Sequence, residues 1–135
     1  MYKKILMAYD GSEEGRRVIE EGGEMAAMCQ AEVFLLAVIT VPRGRVLSDA
    51  AREQAMQVVE GGVDILRNDD IEASGDIAIG EPVDRILEKA REMKCDLIVV
   101  GHRKLDTLSR WWRGSTGASL VVDAPCSVLV TVQPD

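Results

Sequence analysis

No stretch of this chain approaches the 18 or so consecutive apolar residues that a membrane span requires. Cysteine is scarce. Cys29, Cys95 and Cys126 are odd in number and widely spaced, which excludes a disulfide framework. No Cys/His cluster has metal-ligand spacing. The three read as small buried hydrophobes in a reducing compartment. The opening Met1-Tyr2-Lys3-Lys4-Ile5 enters a strand-like stretch with no long h-region and no cleavage site. No signal peptide is therefore expected, and a cytoplasmic setting is the simplest expectation. Positive charge is in deficit, with 16 Lys and Arg against 23 Asp and Glu, a formal charge of −7. An acidic domain repels phosphate backbones, which argues against general nucleic-acid binding.

Several signatures of chemistry are missing as well. There is no G-x-x-x-x-G-K-[ST] for a P-loop, and no G-x-G-x-x-G after the first strand for a dinucleotide site. There is no G-x-S-x-G nucleophile elbow. His102 is the only histidine and has no evident Ser or Cys partner. These absences leave little room for a dedicated enzyme.

What is present is regular alternation. The 135 residues make one domain, 1–135, with 47% apolar and 29% charged residues as in ordinary globular chains. Ile5 to Tyr9 is a short apolar run, and Ser12-Glu13-Glu14 then reads as a capped helix start. Val18, Gly22, Met25 and Cys29 share one helical face. Val33 to Ile39 is continuously apolar, as a strand covered on both faces should be. Pro42-Arg43-Gly44-Arg45 reads as a loop. Ala51, Ala55, Val58, Gly62 and Ile65 give the next helical face, weakened by Gly61-Gly62. Residues 71–79 alternate with period two, the pattern of a half-exposed edge strand. Gly80-Glu81-Pro82 turns into a helix with Val83, Ile86, Leu87, Ala90 and Met93 on its apolar face. Leu97 to Val100 is a buried strand ending at Gly101. A last helix is expected from Gly114-Ser115-Thr116 through Val121, stopped by Asp123-Ala124-Pro125, before a final strand Ser127–Val132. The pattern predicts a doubly wound α/β domain, a parallel sheet with helices on both faces, which binds ligands where the strand order reverses.

Two stretches lie at carboxyl ends of strands with suitable chemistry. Tyr9-Asp10-Gly11-Ser12 follows the first strand, where Asp10 either accepts hydrogen bonds from a ribose or base, or forms a turn before Gly11. Gly101-His102-Arg103-Lys104 follows the fourth, and Gly114-Ser115-Thr116 comes ten residues later. Gly-Ser opening a helix offers free N–H groups and a hydroxyl, either as a phosphate site or as plain capping. Residues 101–117 hold four basic residues against one acid, a net of +3 in an acidic chain. Such an island suits a small anion, although the same residues also fit a solvated loop. Trp111 and Trp112 are adjacent and cannot both face a core, so one is exposed as a partner contact or lid.

These residues in this order resemble the universal stress proteins over essentially the whole chain. The resemblance rests on Lys3-Lys4-Ile5-Leu6 with Asp10-Gly11-Ser12, Gly80-Glu81-Pro82 with Ile86, and Asp96 to Gly101. It continues through Gly114-Ser115-Thr116 and Ala124 to Val130. It implies a five-stranded parallel sheet of order 3-2-1-4-5 and a homodimer paired through the last strand, Ser127–Val132. ATP-binding members carry G-x₂-G-x₉-G-[ST]. Here the spacing is kept, and Lys104 stands where the second glycine belongs. By position, the resemblance implies that Asp10 lies near the adenosine, Val38 beside the adenine, and Ala8 and Val100 along the pocket. Gly101 would sit under the ribose or phosphates, with Arg103 and Lys104 beside them, and Gly114, Ser115 and Thr116 would cradle the phosphates. Mg²⁺ is expected with ATP, held largely by phosphate oxygens and water.

Two functions follow as expectations. One is a nucleotide-responsive regulator in a stress response, binding ATP, ADP or AMP, with at most slow incidental hydrolysis. The other is a dimeric interaction protein of the same fold that binds no nucleotide, because Lys104 either strains the loop or obstructs the phosphates.

Overall fold

The computed structural model describes residues 1–9, 13–102 and 119–132. The elements are β1 (Lys4–Ala8), α1 (Glu13–Cys29), β2 (Glu32–Ile39), α2 (Asp49–Asn68), β3 (Ala73–Ile79), α3 (Pro82–Met93), β4 (Leu97–His102), α4 (Leu120–Asp123) and β5 (Ser127–Val132). The strands form one sheet of order β3-β2-β1-β4-β5, with every neighbouring pair parallel. This is the expected doubly wound order.

The order follows from crossover handedness. Parallel neighbours need right-handed connections, so stepping one way from β1 puts helices on one face and stepping the other way uses the opposite face. Two apolar layers result. Ile5, Met7, Val33, Leu35, Leu97 and Val99 pack with Val18, Ile19 and Ala26 of α1 and Val59, Val63 and Leu66 of α2. Leu6, Ala8, Leu36, Ile98 and Val100 pack with Val83, Ile86, Leu87 and Ala90 of α3 and Leu120 of α4.

Helix ends obey local chemistry. Ser48 caps α2, its Oγ accepting the Ala51 N–H at 3.1 Å, and Pro82 opens α3. Each of the three long helices is closed by a left-handed residue other than glycine: Gln30 (φ 54°), Asp70 (φ 61°) and Lys94 (φ 56°). The next N–H in each case bonds back to a carbonyl of the last turn: Ala31 to Ala26, Ile71 to Leu66 and Cys95 to Ala90.

Two expectations are corrected. The buried face of α2 is Val59, Gly62, Val63 and Leu66, while Ile65 is 42% exposed. The reason is Gly62. A Cβ there would lie 2.5 Å from Leu35 Cδ2 and 3.0 Å from both Ile19 Cδ1 and Tyr9 Cε2. Its bare backbone lets the helix seat on the set around it, one residue away from the Val58 and Ile65 set. The last helix occupies only Leu120–Asp123, capped by Ser119, whose Oγ accepts the Val122 N–H. Its expected start at Gly114 lies outside the described residues.

The two sheet edges differ. The Val33 N–H to Glu72 carbonyl bond and the Gly80 N–H to Ile39 carbonyl bond show that even-numbered residues of β3 pair with β2. Odd-numbered ones therefore face outward. Two of those outward groups are met internally: the Asp76 Oδ1 accepts the Ile77 N–H at 2.8 Å, and Arg67 Nε donates to the Ala73 carbonyl at 3.0 Å. β5 bears no charged residue and pairs only with β4 among the described residues.

Gly61 and Gly62 make a direct test of the packing. A Cβ on Gly61 meets nothing within 4 Å. Gly61→Ala should therefore stabilise by about 0.5–1 kcal/mol through helix propensity. Gly62→Ala carries the same propensity gain but overpacks the core, at a cost of about 1–3 kcal/mol. Urea unfolding midpoints should move in opposite directions. Equal gains for both would contradict the seating of α2.

Candidate functional site

The strand order reverses between β1 and β4, and the register shows how a crevice forms there. β1 and β4 pair only from Ile5↔Leu97 to Met7↔Val99. Beyond that level β1 leans on β2, with Ala8 opposite Leu36 and the Tyr9 N–H donating to the Leu36 carbonyl at 2.9 Å. β4 leans on β5, with Gly101 opposite Thr131 and His102 opposite Val132. The two central strands thus part company at their carboxyl ends, where open α/β sheets bind ligands.

The floor of this crevice is small and apolar. Ala8 is 7% exposed and Val100 1% exposed, and both belong to the layer beneath α3 and α4. Val38 lies two residues past Leu36, the partner of Ala8, and packs half-buried on the same layer. Gly101 follows Val100, half-buried. Ala8, Val38 and Val100 thus share one apolar layer near the carboxyl ends of the central strands. These four expected site residues, Ala8, Val38, Val100 and Gly101, are brought to one end of the sheet. Asp10, Arg103, Lys104, Gly114, Ser115 and Thr116 lie outside the described residues.

Two supporting residues, Thr131 and Thr40, were not singled out from the sequence. Thr131 is 2% exposed, and its Oγ1 donates to the Val100 carbonyl at 3.4 Å, which fixes β4 where the crevice begins. A lone hydroxyl in the apolar run of β5 was the available signal. Thr40 Oγ1 donates to the Gly80 carbonyl at 3.4 Å, and the Gly80 N–H donates to the Ile39 carbonyl at 2.9 Å. Together they tie the ends of β2 and β3.

The amino end of the sheet is built differently. Asp96 accepts the backbone N–H groups of Lys3 at 2.8 Å and Lys4 at 3.1 Å, stapling the start of β1 to β4. That is a structural use for an acid within one of the recognised motifs. A groove of ≈ 380 Å³ also opens at this end, lined by Lys4, Glu32, Phe34, Arg67, Glu72 and Met93 among others. Its charges are largely engaged, with Lys4 Nζ 3.3 Å from Glu32 and Arg67 held by the Ala73 carbonyl. It lies at the opposite end from the reversal of strand order, so topology favours the crevice. Among the described residues no group of three or more His, Cys, Asp or Glu could hold a metal, and no helix is long and apolar enough to cross a membrane.

The fold and crevice define a doubly wound α/β domain of the kind that holds a small ligand over its central strands. Comparison with known proteins names the family. The universal stress protein family model matches residues 1–132, and the chain belongs to that family. A universal stress protein of Thermus aquaticus is 31% identical over 138 residues, covering 96% of this chain and 98% of that one. A universal stress protein in complex with cAMP superimposes with a TM-score of 0.75 at 21% identity, covering 96% of each chain. An Arabidopsis thaliana family member with AMP bound gives a TM-score of 0.72 at 20% identity, covering 97% of this chain and 92% of that one.

Burial pushes the thiol of Cys95 up to about 11, with Cys126 beside it contributing, and burial also raises Cys126. At pH 7–8 Cys95 should therefore resist iodoacetamide in the folded protein and react only on unfolding. The same shift sets an alkaline limit. Below the ordinary thiol value of 9.0 both states keep the proton. Between there and about 11 the unfolded chain releases it while the folded chain retains it. Stability should fall by about 1.4 kcal/mol per pH unit across that window. Urea midpoints at pH 8 and pH 10 should show the fall in the wild type and a shallower slope in Cys95→Ala.

Proposed function

We propose that this universal stress protein binds an adenine nucleotide over the carboxyl ends of β1 and β4 and acts as a nucleotide-responsive regulator in a stress response. The observation that carries the reading is the crevice itself. Ala8, Val38 and Val100 share one layer where β1 and β4 stop pairing, at the reversal point of a fold whose family members have been solved with cAMP and AMP. The base lies beside Val38, and Asp10 accepts from the ribose. Gly101, Arg103, Lys104, Gly114, Ser115 and Thr116 hold the phosphates. Backbone N–H groups, a hydroxyl and basic side chains favour that charge. Where the ligand is ATP, Mg²⁺ accompanies it on phosphate oxygens and water. Binding alters the surface around residues 101–115 and so what is presented to a protein partner.

Lys104 favours a second reading, because it stands at a motif glycine. If its side chain closes the site, the chain is an interaction protein of the same fold without a nucleotide. In either reading the uncharged edge of β5 supports a homodimer paired along Ser127–Val132, whereas the acid on β3 disfavours pairing at the other edge.

The test begins with freshly purified protein, denatured and chromatographed for released small molecules. The same preparation is titrated with ATP and Mg²⁺, reading Trp111 and Trp112 fluorescence. Released adenine nucleotide, or saturable quenching in the micromolar range, is expected. Ala8→Leu should fill the crevice and weaken binding by about tenfold or more, with the circular dichroism spectrum unchanged. No released nucleotide and no response at millimolar ATP would sink the first reading. Recovery of binding in Lys104→Gly would then assign the loss to that side chain. Sedimentation equilibrium at tens of micromolar should return twice the 14.8 kDa chain mass, and a monomer mass there would contradict the β5 pairing.

A further inference from the structure

Two loops at the carboxyl end of the sheet carry guanidinium groups that the nucleotide reading leaves unused. The first follows β2. The Arg45 N–H donates to the Pro42 carbonyl at 3.0 Å and Gly44 has φ +81°, which makes a tight turn with glycine at the position that needs it. Arg43, Gly44, Arg45 and Val46 are exposed, and nothing lies within 4 Å of a Cβ built on Gly44. The turn therefore stands off the body of the domain. Residues 40–48 contain two arginines and no acid, and neither arginine forms an ion pair among the described residues.

The second group is Arg85, in the first turns of α3. Its side chain lies over Gly80, where a Cβ would meet Arg85 Cδ at 3.2 Å and Nε at 3.4 Å. Gly80 is the residue bonded to the Ile39 carbonyl and to Thr40 Oγ1, so this loop and the start of the β2–α2 loop are fastened together. Arg85 Nη2 is 3.0 Å from Glu88 Oε2, yet its Nε is buried with no hydrogen-bond partner. A buried cationic N–H without an acceptor is unfavourable until an anion supplies one.

Position decides which anion. These loops border the β2 and β3 side of the crevice, whereas the proposed phosphate cradle follows β4, across β1. With a base beside Val38 and a 5′-phosphate held after β4, the loops that carry the three arginines lie on the other side of β1 from that phosphate. Guanidinium forks match the oxygens of a phosphomonoester in shape and charge. Glu88 already holds Arg85 in an ion pair, so an incoming anion competes with a carboxylate, and the double charge of a phosphomonoester favours it in that competition.

We propose that Arg43, Arg45 and Arg85 form a second anion subsite, taking a phosphate carried on the ribose of an adenine nucleotide away from its 5′ position. The ribose placement rests on the adenine-nucleotide reading; the anion subsite does not. Inorganic phosphate should therefore shift the Nε–Hε nuclear magnetic resonances of the three arginines in the full chain. Adenosine 3′,5′-bisphosphate should bind about tenfold more tightly than AMP by calorimetry. The double substitution Arg43→Gln/Arg45→Gln should erase that preference while leaving AMP affinity unchanged. Glu88→Gln should enlarge it by freeing Arg85. A bisphosphate no tighter than AMP, or a preference that survives the double substitution, overturns the ribose assignment. Failure of both nucleotides to bind sinks the nucleotide reading instead. Absence of phosphate-induced shifts then overturns the subsite on its own terms.

Discussion

The domain depends on one strand being covered from both sides. Ile5, Leu6 and Met7 of β1 are each 0% exposed, and their side chains alternate between the two apolar layers. A strand so placed must have neighbours on both edges and helices on both faces, which forces the chain to leave it in one direction and return in the other. The crevice is a by-product of that routing. β1 reaches toward β2 and β4 toward β5 once their shared pairing ends at Met7 and Val99. Asp96, bonded to the first N–H groups of β1, holds the opposite ends of the same two strands together, so that they diverge at one end only.

Most of this architecture was legible because burial writes a strong pattern. Continuous apolar runs at 5–9, 33–39 and 97–100 cannot be amphipathic, and 71–79 alternates as an edge strand must. The face of α2 was misread because Val58 and Val59, and Ile65 and Leu66, offer two competing apolar sets. Only the close approach at Gly62 chooses between them. The closures at Gln30, Asp70 and Lys94 carried no glycine to announce them; backbone hydrogen bonding and the onset of the next strand hold these residues in the left-handed region. Of the candidate site, Ala8, Val38 and Val100 were named through family resemblance alone, since they look like ordinary core residues in isolation; the structure gathers them in one layer. Thr131 and Gly80 act through partners distant in sequence, which no local window contains.

The two ends of the sheet have divided their chemistry. The amino end holds the Asp96 staple and thiols whose burial suppresses ionisation. The carboxyl end combines small side chains, turn glycines and guanidinium groups, features that let a backbone approach a ligand and neutralise it. Within an acidic chain, the loop at residues 40–48 stands out by carrying two arginines and no acid.

The unequal edges bear on how far assembly can proceed. Sheet growth by strand addition needs a free ladder at each end of the growing ribbon. In this molecule Asp76 and Arg67 already consume part of the ladder on β3, so a second chain finds its backbone partners taken there. A pairing through β5 alone would join two copies across a two-fold axis and leave only the partly engaged β3 strands outward. A side chain that bonds its own strand, as Asp76 does, thus acts as a chain terminator at that edge by removing a backbone donor from further strand addition.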